Sequence, residues 1–215
     1  MGTGVTPERT LTGYVDAVSQ PSPAPGAGSV AAIVGSLGCA LGEMVCGITL
    51  NNPKIEPDER LRRSHQVVTN CRARLLELAS QDEEAYSRFR AAQAMPKSDD
   101  DQKHARAKEM ARTLKLAAEV PLRIAETSAD ALEELIIIAE LGSKHALADV
   151  STAAYALEAS VRGALENVWV NLRMMNDPEM SDRLRNRGDA TLLRYSLAVY
   201  NATAAVDRRS PDTKE

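Results

Sequence analysis

The chain has 215 residues, 44% of them apolar and 26% charged, with a net charge of −4. That length supports one domain with a substantial core rather than two. The acidic balance argues against a general nucleic-acid binder, and 3% aromatics, with one Trp and one Phe, argue against base-stacking platforms.

The composition is rich in Ala, Leu, Glu and Arg and contains no convincing alternating strand, so helices are expected throughout. A first helix is expected to start after Thr6 as N-cap, with Pro7 in its first turn and Leu11, Tyr14, Val15 and Val18 as its apolar set. Residues 20–28 carry three prolines among small residues and read as an extended loop, with Ser29 as the next N-cap. Residues 30–50 are almost entirely small or apolar, with four glycines and one charge, Glu43. No apolar run approaches the roughly 20 residues a membrane span needs; this one resembles a short span, but with Glu43 and its glycines it reads as the central buried helix of a bundle. Pro57 opens a long helix over 58–92, with a stripe of Leu61, Val68, Cys71, Leu75, Leu78 and Ala85. After a polar break at 95–101, a helix over 102–141 contains Pro121, which predicts a kink or a stop, and Gly142 as C-cap. Asp99 to Asp101 read as a helix-start charge run. Further helices are expected over 146–175 and, from the pair Asp177-Pro178, over 179–207, with a frayed tail from Arg208 onward.

The expected fold is all-α: one domain over 1–215, a bundle of long, mostly antiparallel helices. Apolar faces on so many long helices are hard to cover within one chain, which favours a homodimer. Three cysteines, Cys39, Cys46 and Cys71, form no C-x-x-C and read as small packing residues. His65, His104 and His145 belong to no H-E-x-x-H, and no Glu-x-x-His occurs, so no metal is expected. The N-terminus lacks a charged-then-apolar leader pattern, so the expectation is a soluble, cytoplasmic protein with no membrane partner.

The strongest local signal is the run Ser22, Pro23, Ala24, Pro25, Gly26, Ala27, Gly28, Ser29, leading into a helix. Prolines stiffen the approach, and glycines let the backbone come near a ligand at the positive end of the helix dipole. The same pattern also makes a rigid connector, and the residues alone leave both readings open. With the small-residue helix that follows, this run resembles the S-P-x-P-G-G-G-S opening of the formiminotransferase-cyclodeaminase C-terminal family, which includes methenyltetrahydrofolate cyclohydrolases. Asp82-Glu83-Glu84-Ala85-Tyr86 is similar to its D-x-x-A-[FY]. Ala118-Glu119-Val120-Pro121-Leu122 is similar to A-x-x-V-P-L, and Asp149 with Ala153 and Ala154 to S-D-x-x-x-A-A. The segment Gly163 to Asn171 is similar to G-A-x-x-N-V-x-I-N, so the likeness covers nearly the whole chain.

The resemblance implies an all-helical dimer acting on a one-carbon tetrahydrofolate, as a cyclohydrolase or a cyclodeaminase, without metal or redox cofactor. Both reactions pass through a tetrahedral carbon between nitrogens beside an amidinium-like cation, and call for a carboxylate and a proton carrier. The resemblance puts Asp82 and Asp149 forward as the catalytic carboxylates. Ser22, Pro25, Gly26, Gly28, Ser29, Lys54, Tyr86, Asn167 and Asn171 are the substrate-binding candidates. Taken alone, Asp82 reads as a solvated charge, and Asp149 reads equally as a site carboxylate or as a partner of a helix dipole. Asn167 and Asn171 can present amides to a pterin-like edge or bond across helices. Glu126 reads as a surface ion pair. Arg60, Arg62, Arg63 and His65 read as a solvated helix face, although a folate's glutamate tail wants such a partner.

Several motif positions depart from the family pattern. Ala27 stands at the middle glycine, and Asn51 to Ile55 keeps only Lys54 of a basic, aromatic-ended cluster. Ala148 and Ser151 replace the usual Ser and Gly, and Lys144-His145 an asparagine-rich turn. Three readings therefore stand on the sequence: a folate one-carbon enzyme, a related enzyme with another small nitrogen-containing substrate in specialised metabolism, and a non-catalytic helical dimer.

Overall fold

The computed structural model describes residues 9–56 and 58–210. These form six α-helices, with no strand among the described residues. They are α1 (Leu11–Val18), α2 (Ala27–Leu50), α3 (Glu59–Gln93), α4 (Asp100–Leu141), α5 (Leu147–Leu172) and α6 (Pro178–Arg209), with a 3-10 turn at Lys144–Ala146 before α5. Asp58, Asp99 and Asp177 cap α3, α4 and α6, each side chain accepting a backbone N–H from the first turn.

Side-chain contacts fix the topology. Glu43 meets Arg72 and Gly28 meets Asp82, so α2 and α3 are antiparallel. Ser64 reaches Glu134 and Arg106 reaches the Gln93 carbonyl, so α3 and α4 are antiparallel too. Ser128 bonds Ser160 while Asn171 bonds Ala117, which reverses α5 against α4. Gly35 abuts Ser160 and Thr49 accepts from the Ser143 N–H, which closes α5 back onto α2. The four helices α2 to α5 make an up-down-up-down bundle. On its outside α6 runs parallel to α4, tied by Arg187–Glu126, Arg194–Asp130 and Arg194–Glu133.

The small residues of α2 are what let the bundle close. A Cβ on Gly35 would lie 2.6 Å from Ser160 Oγ and 2.9 Å from Ser128 Oγ, so the helix backbone sits directly against the buried Ser128–Ser160 pair. Leu75, Leu78, Leu122, Leu132, Leu135 and Leu157 fill the space around it. The three thiols are buried within this packing, and burial pushes Cys46 up to about 12 and Cys71 to about 11. At 24 residues α2 is long and apolar enough to cross a membrane by length and composition, contrary to expectation. Half of its most apolar window is buried in the bundle, and Glu43 is held by Arg72 at 2.6 Å.

Four expectations are corrected. The first helix is capped by Thr10, whose hydroxyl accepts the Gly13 N–H; Thr6 and Pro7 lie outside the described residues. Ser29 is not an N-cap, because α2 begins two residues earlier with Gly26 as its cap residue. Pro121 does not stop α4, which runs through it. Finally, α6 continues through Arg208 and Arg209, because the Arg209 guanidinium takes the terminal carbonyls of Ala139 and Gly142.

Candidate active site

The site is built where α2 begins. Gly26 supplies no side-chain cap, so the first turn of α2 needs acceptors from elsewhere. Asp82, on α3, supplies one by accepting the Ser29 backbone N–H. The approach is close enough to dictate glycine at 28. A Cβ there would fall 2.2 Å from Asp82 Oδ1 and 2.5 Å from its Cγ. The glycine expected to admit a ligand thus admits a carboxylate. Burial raises Asp82, with a smaller push from neighbouring Glu83 and an opposing pull from the Ser29 N–H, and the carboxyl titrates at about 6.

Glu83 faces a different neighbour. Ser29 Oγ donates to Glu83 Oε1 at 3.2 Å, and Arg9 pairs with Glu83 Oε2 at 3.4 Å. With its proton committed to Glu83, Ser29 Oγ can only accept from Tyr14 O–H, 3.0 Å away. Burial raises Tyr14, which keeps that hydroxyl protonated. This chain locks α1 and the start of α2 onto α3 directly behind Asp82. Sequence reasoning missed Glu83, Tyr14 and Arg9 in this role. The available signal was the apolar spacing that already placed Tyr14 inward.

In front of Asp82 lies a pocket of about 210 Å³. Tyr86 and Phe89 continue the Asp82 face of α3, Ala117 comes from α4, and Asn167, Val170, Asn171 and Met174 from α5. Pro23, Gly26, Ala27 and Gly28 close it from the α2 side. Asn171 Nδ2 donates to the Ala117 carbonyl at 2.6 Å, which is the carbonyl that Pro121, lacking an N–H, leaves unpaired four residues on. Asn167 Nδ2 makes a long bond of 3.4 Å to the Gly163 carbonyl. Trp169, between the two amides, faces away, its ring against Gly188 and under Arg185. Ala27 is an ordinary helical residue at the pocket rim, so its departure from glycine strains nothing.

One chain does not assemble every candidate. Ser22 is exposed, its hydroxyl turned onto the Ala24 carbonyl, and Pro25 is buried behind the rim. Asp149 lies in the first turn of α5, eighteen residues and roughly 27 Å of helix from Asn167. Lys54 sits in the turn after the far end of α2, its N–H bonded to Asn52. Arg60 pairs with its own cap Asp58 and Arg62 with Glu59, at the opposite end of α3 from Asp82. Glu126 is the ion pair expected of it, two-pronged with Arg187 at 2.8 and 3.0 Å. The pocket therefore offers one carboxylate poised to gain or lose a proton near neutrality, two amides and two aromatic rings. That set suits proton transfer on a planar, nitrogen-rich ligand.

The family model for formiminotransferase-cyclodeaminase matches residues 10–190. The chain belongs to that family. The formiminotransferase-cyclodeaminase match is supported by individual relatives. A methenyltetrahydrofolate cyclohydrolase of Methylorubrum extorquens is 31% identical over 78% of this chain and 81% of its own length. The formimidoyltransferase-cyclodeaminase of Sus scrofa is 35% identical over 93% of this chain, and this chain spans 37% of that longer protein. Among solved structures, the formiminotetrahydrofolate cyclodeaminase of Thermotoga maritima superposes with a TM-score of 0.84 at 26% identity, covering 94% of this chain and 98% of that one.

Proposed function

We propose that this formiminotransferase-cyclodeaminase family member is a one-carbon tetrahydrofolate enzyme, hydrolysing the 5,10-methenyl form to 10-formyl-tetrahydrofolate. The observation that carries this reading is Asp82, held at about 6 against the mouth of a pocket lined by amides and aromatic rings. The substrate carbon is an amidinium cation bridging two nitrogens. Its positive charge favours ionised Asp82 on binding. Water then adds to that carbon and Asp82 takes its proton. Addition removes the cation, so the carboxyl returns to its raised, proton-holding condition at the moment it must accept. When the bond from the carbon to N5 breaks, Asp82 protonates N5, the hydroxyl oxygen becomes the formyl carbonyl, and one proton leaves to solvent. No oxidant or metal enters this balance, and we propose that the enzyme works without a resident cofactor.

The same tetrahedral carbon with an amino group in place of the hydroxyl is the cyclodeaminase intermediate. The structural likeness to the Thermotoga maritima cyclodeaminase favours that second reading. One assay separates them. Loss of the near-ultraviolet absorbance of 5,10-methenyl-tetrahydrofolate above a no-enzyme control is expected. Ammonia release from 5-formimino-tetrahydrofolate instead assigns the deaminase, and turnover of neither removes the folate reading.

We further propose a homodimer formed along α2. Leu37, Leu41, Met44 and Ile48 repeat at three and four residues, the spacing of a helix-pairing seam. Leu37, Met44 and Ile48 are 57%, 41% and 49% exposed, and Tyr155 on neighbouring α5 is 58% exposed. A second copy laid antiparallel on this face carries the far end of one α2 toward the Gly28 end of the other. That is the direction in which Asp149 and Lys54 must travel to meet Asp82. Met44→Lys is expected to convert the dimer to a monomer by light scattering, whereas Leu193→Lys on α6 leaves it intact. Asp82→Asn and Asp149→Asn, each severely impaired alone, should regain about a quarter of wild-type activity when mixed in equal amounts and re-equilibrated, because half the dimers are then mixed and one of their two sites is wild-type. A monomeric wild type, or mixing without recovery, sinks the shared site.

A further inference from the structure

A second cavity, of about 580 Å³, opens beside the Asp82 pocket and shares two of its walls, Phe89 and Met174. Met110, Leu114 and Met180 are its apolar, deformable lining, Arg106 and Lys115 its cations, and Asp177, which accepts the Met180 N–H as the α6 cap, its one carboxylate. Arg106 is half-buried, anchored through Nε to the Gln93 carbonyl at the end of α3 at 3.2 Å. That bond leaves its two terminal nitrogens for another acceptor, and Arg106 has no carboxylate partner among the described residues. Lys115 makes only a loose pair with Glu119 at 3.8 Å. From Ala117 in the Asp82 pocket to Arg106 is eleven residues of α4, roughly 16 Å.

We infer that this cavity receives the aminobenzoyl-glutamate half of the substrate, the ring between Met110, Leu114 and Met180 and the glutamate carboxylates on Arg106 and Lys115. The inference rests on the folate reading of the Asp82 pocket. The reacting carbon of a methenyl-tetrahydrofolate bridges N5 to N10, and N10 is bonded directly to the benzoyl ring. A pocket that places this carbon at Asp82 must therefore continue at once into a space that accepts an aromatic ring, and then into a region that accepts two carboxylates. The shared wall of Phe89 and Met174 provides that continuity. Within one chain the Arg60 to His65 cluster lies too far along α3 to serve this tail, and it is partly consumed by Asp58 and Glu59. An Arg fork is suited to a carboxylate, and its attachment to the α3 terminus pre-sets its position.

The test uses the wild-type protein carrying isotope-labelled methionine methyl groups, with p-aminobenzoyl-L-glutamate as probe. Titration is expected to shift the Met110, Met174 and Met180 methyl resonances, and the compound should inhibit folate turnover competitively. In Arg106→Gln the KM for the folate should rise about tenfold with kcat unchanged, because the carboxylate contact is the same in ground and transition states. Lys115→Gln provides a second, more exposed position should Arg106→Gln fail to fold. Normal folate turnover with unmoved Met110 and Met180 methyls, or with an unchanged KM in both variants, overturns the inference and leaves the folate reading standing. Methyl shifts without any folate turnover uphold the cavity as a site for an aromatic acid and remove the folate reading instead.

Discussion

Asp82→Asn is expected to lower kcat by about a hundredfold to ten-thousandfold, the range of a lost general acid-base group, while making the protein more stable at neutral pH. The two effects have one cause. The carboxyl is raised from 3.8 to about 6 chiefly by burial, which at neutral pH withholds about 3 kcal/mol from the folded state. A raised acid favours folding fully below its unfolded value, and that contribution is lost as pH rises through about 6. The amide has no charge to desolvate and still accepts the Ser29 N–H, so a gain of about 1–3 kcal/mol is the expected outcome by chemical denaturation at pH 7.5. The gain should vanish near pH 4. In wild type, kcat/KM for methenyl hydrolysis should rise through an apparent pKa near 6, and this limb should be missing from the residual activity of Asp82→Asn. A full-activity Asp82→Asn enzyme would remove the residue from the mechanism.

Gly28→Ala separates activity from stability in the opposite sense. Its methyl would occupy the space of the Asp82 carboxylate, with 2.2 Å to Oδ1. What must yield is the end of a short side chain, not a packed backbone, and α2 gains helix propensity from the exchange. The unfolding free energy is therefore expected to change little, by about 1 kcal/mol or less. The displaced carboxylate leaves the Ser29 N–H and the reacting carbon together, so kcat should fall at least about a hundredfold. Ala27→Gly, one residue earlier on the exposed rim, is the matched control and should keep kcat within a small factor of wild type. A large stability loss in Gly28→Ala with a proportionate activity loss would mean that the contact is merely structural.

Much of the fold was legible because its signals are local. The proline-aspartate helix starts, the small-residue run of α2 and the four-residue spacing of Asp82 and Tyr86 each involve a single helix. The family likeness put Asp82 forward for a reaction, and the pocket in front of it gathers Gly26, Gly28, Tyr86, Asn167 and Asn171 but not Ser22, Pro25, Ser29 or Lys54. What the sequence hid depends on pairing between helices. Nothing near Ser29 says that its N–H goes to Asp82 and its hydroxyl to Glu83, two adjacent residues on another helix. Nothing near Arg208-Arg209 says that α4 ends beside them and offers its carbonyls. Asp149 and Asp82 share a family pattern, and motif order carries no distance. Within one chain the length of α5 keeps Asp149 from Asn167 at the pocket end.

Pro121 has a consequence out of proportion to its place in the core. By withholding a donor from its own helix, it leaves the Ala117 carbonyl to one hydrogen of the Asn171 NH₂ group, which fixes the orientation of that amide and keeps its oxygen and its second N–H for a ligand. The imino ring on α4 thereby sets how an amide on α5 is turned, so that its one acceptor and one remaining donor meet the pocket in a fixed order. A guest edge that places an N–H beside a carbonyl oxygen in the matching order fits that imposed pattern.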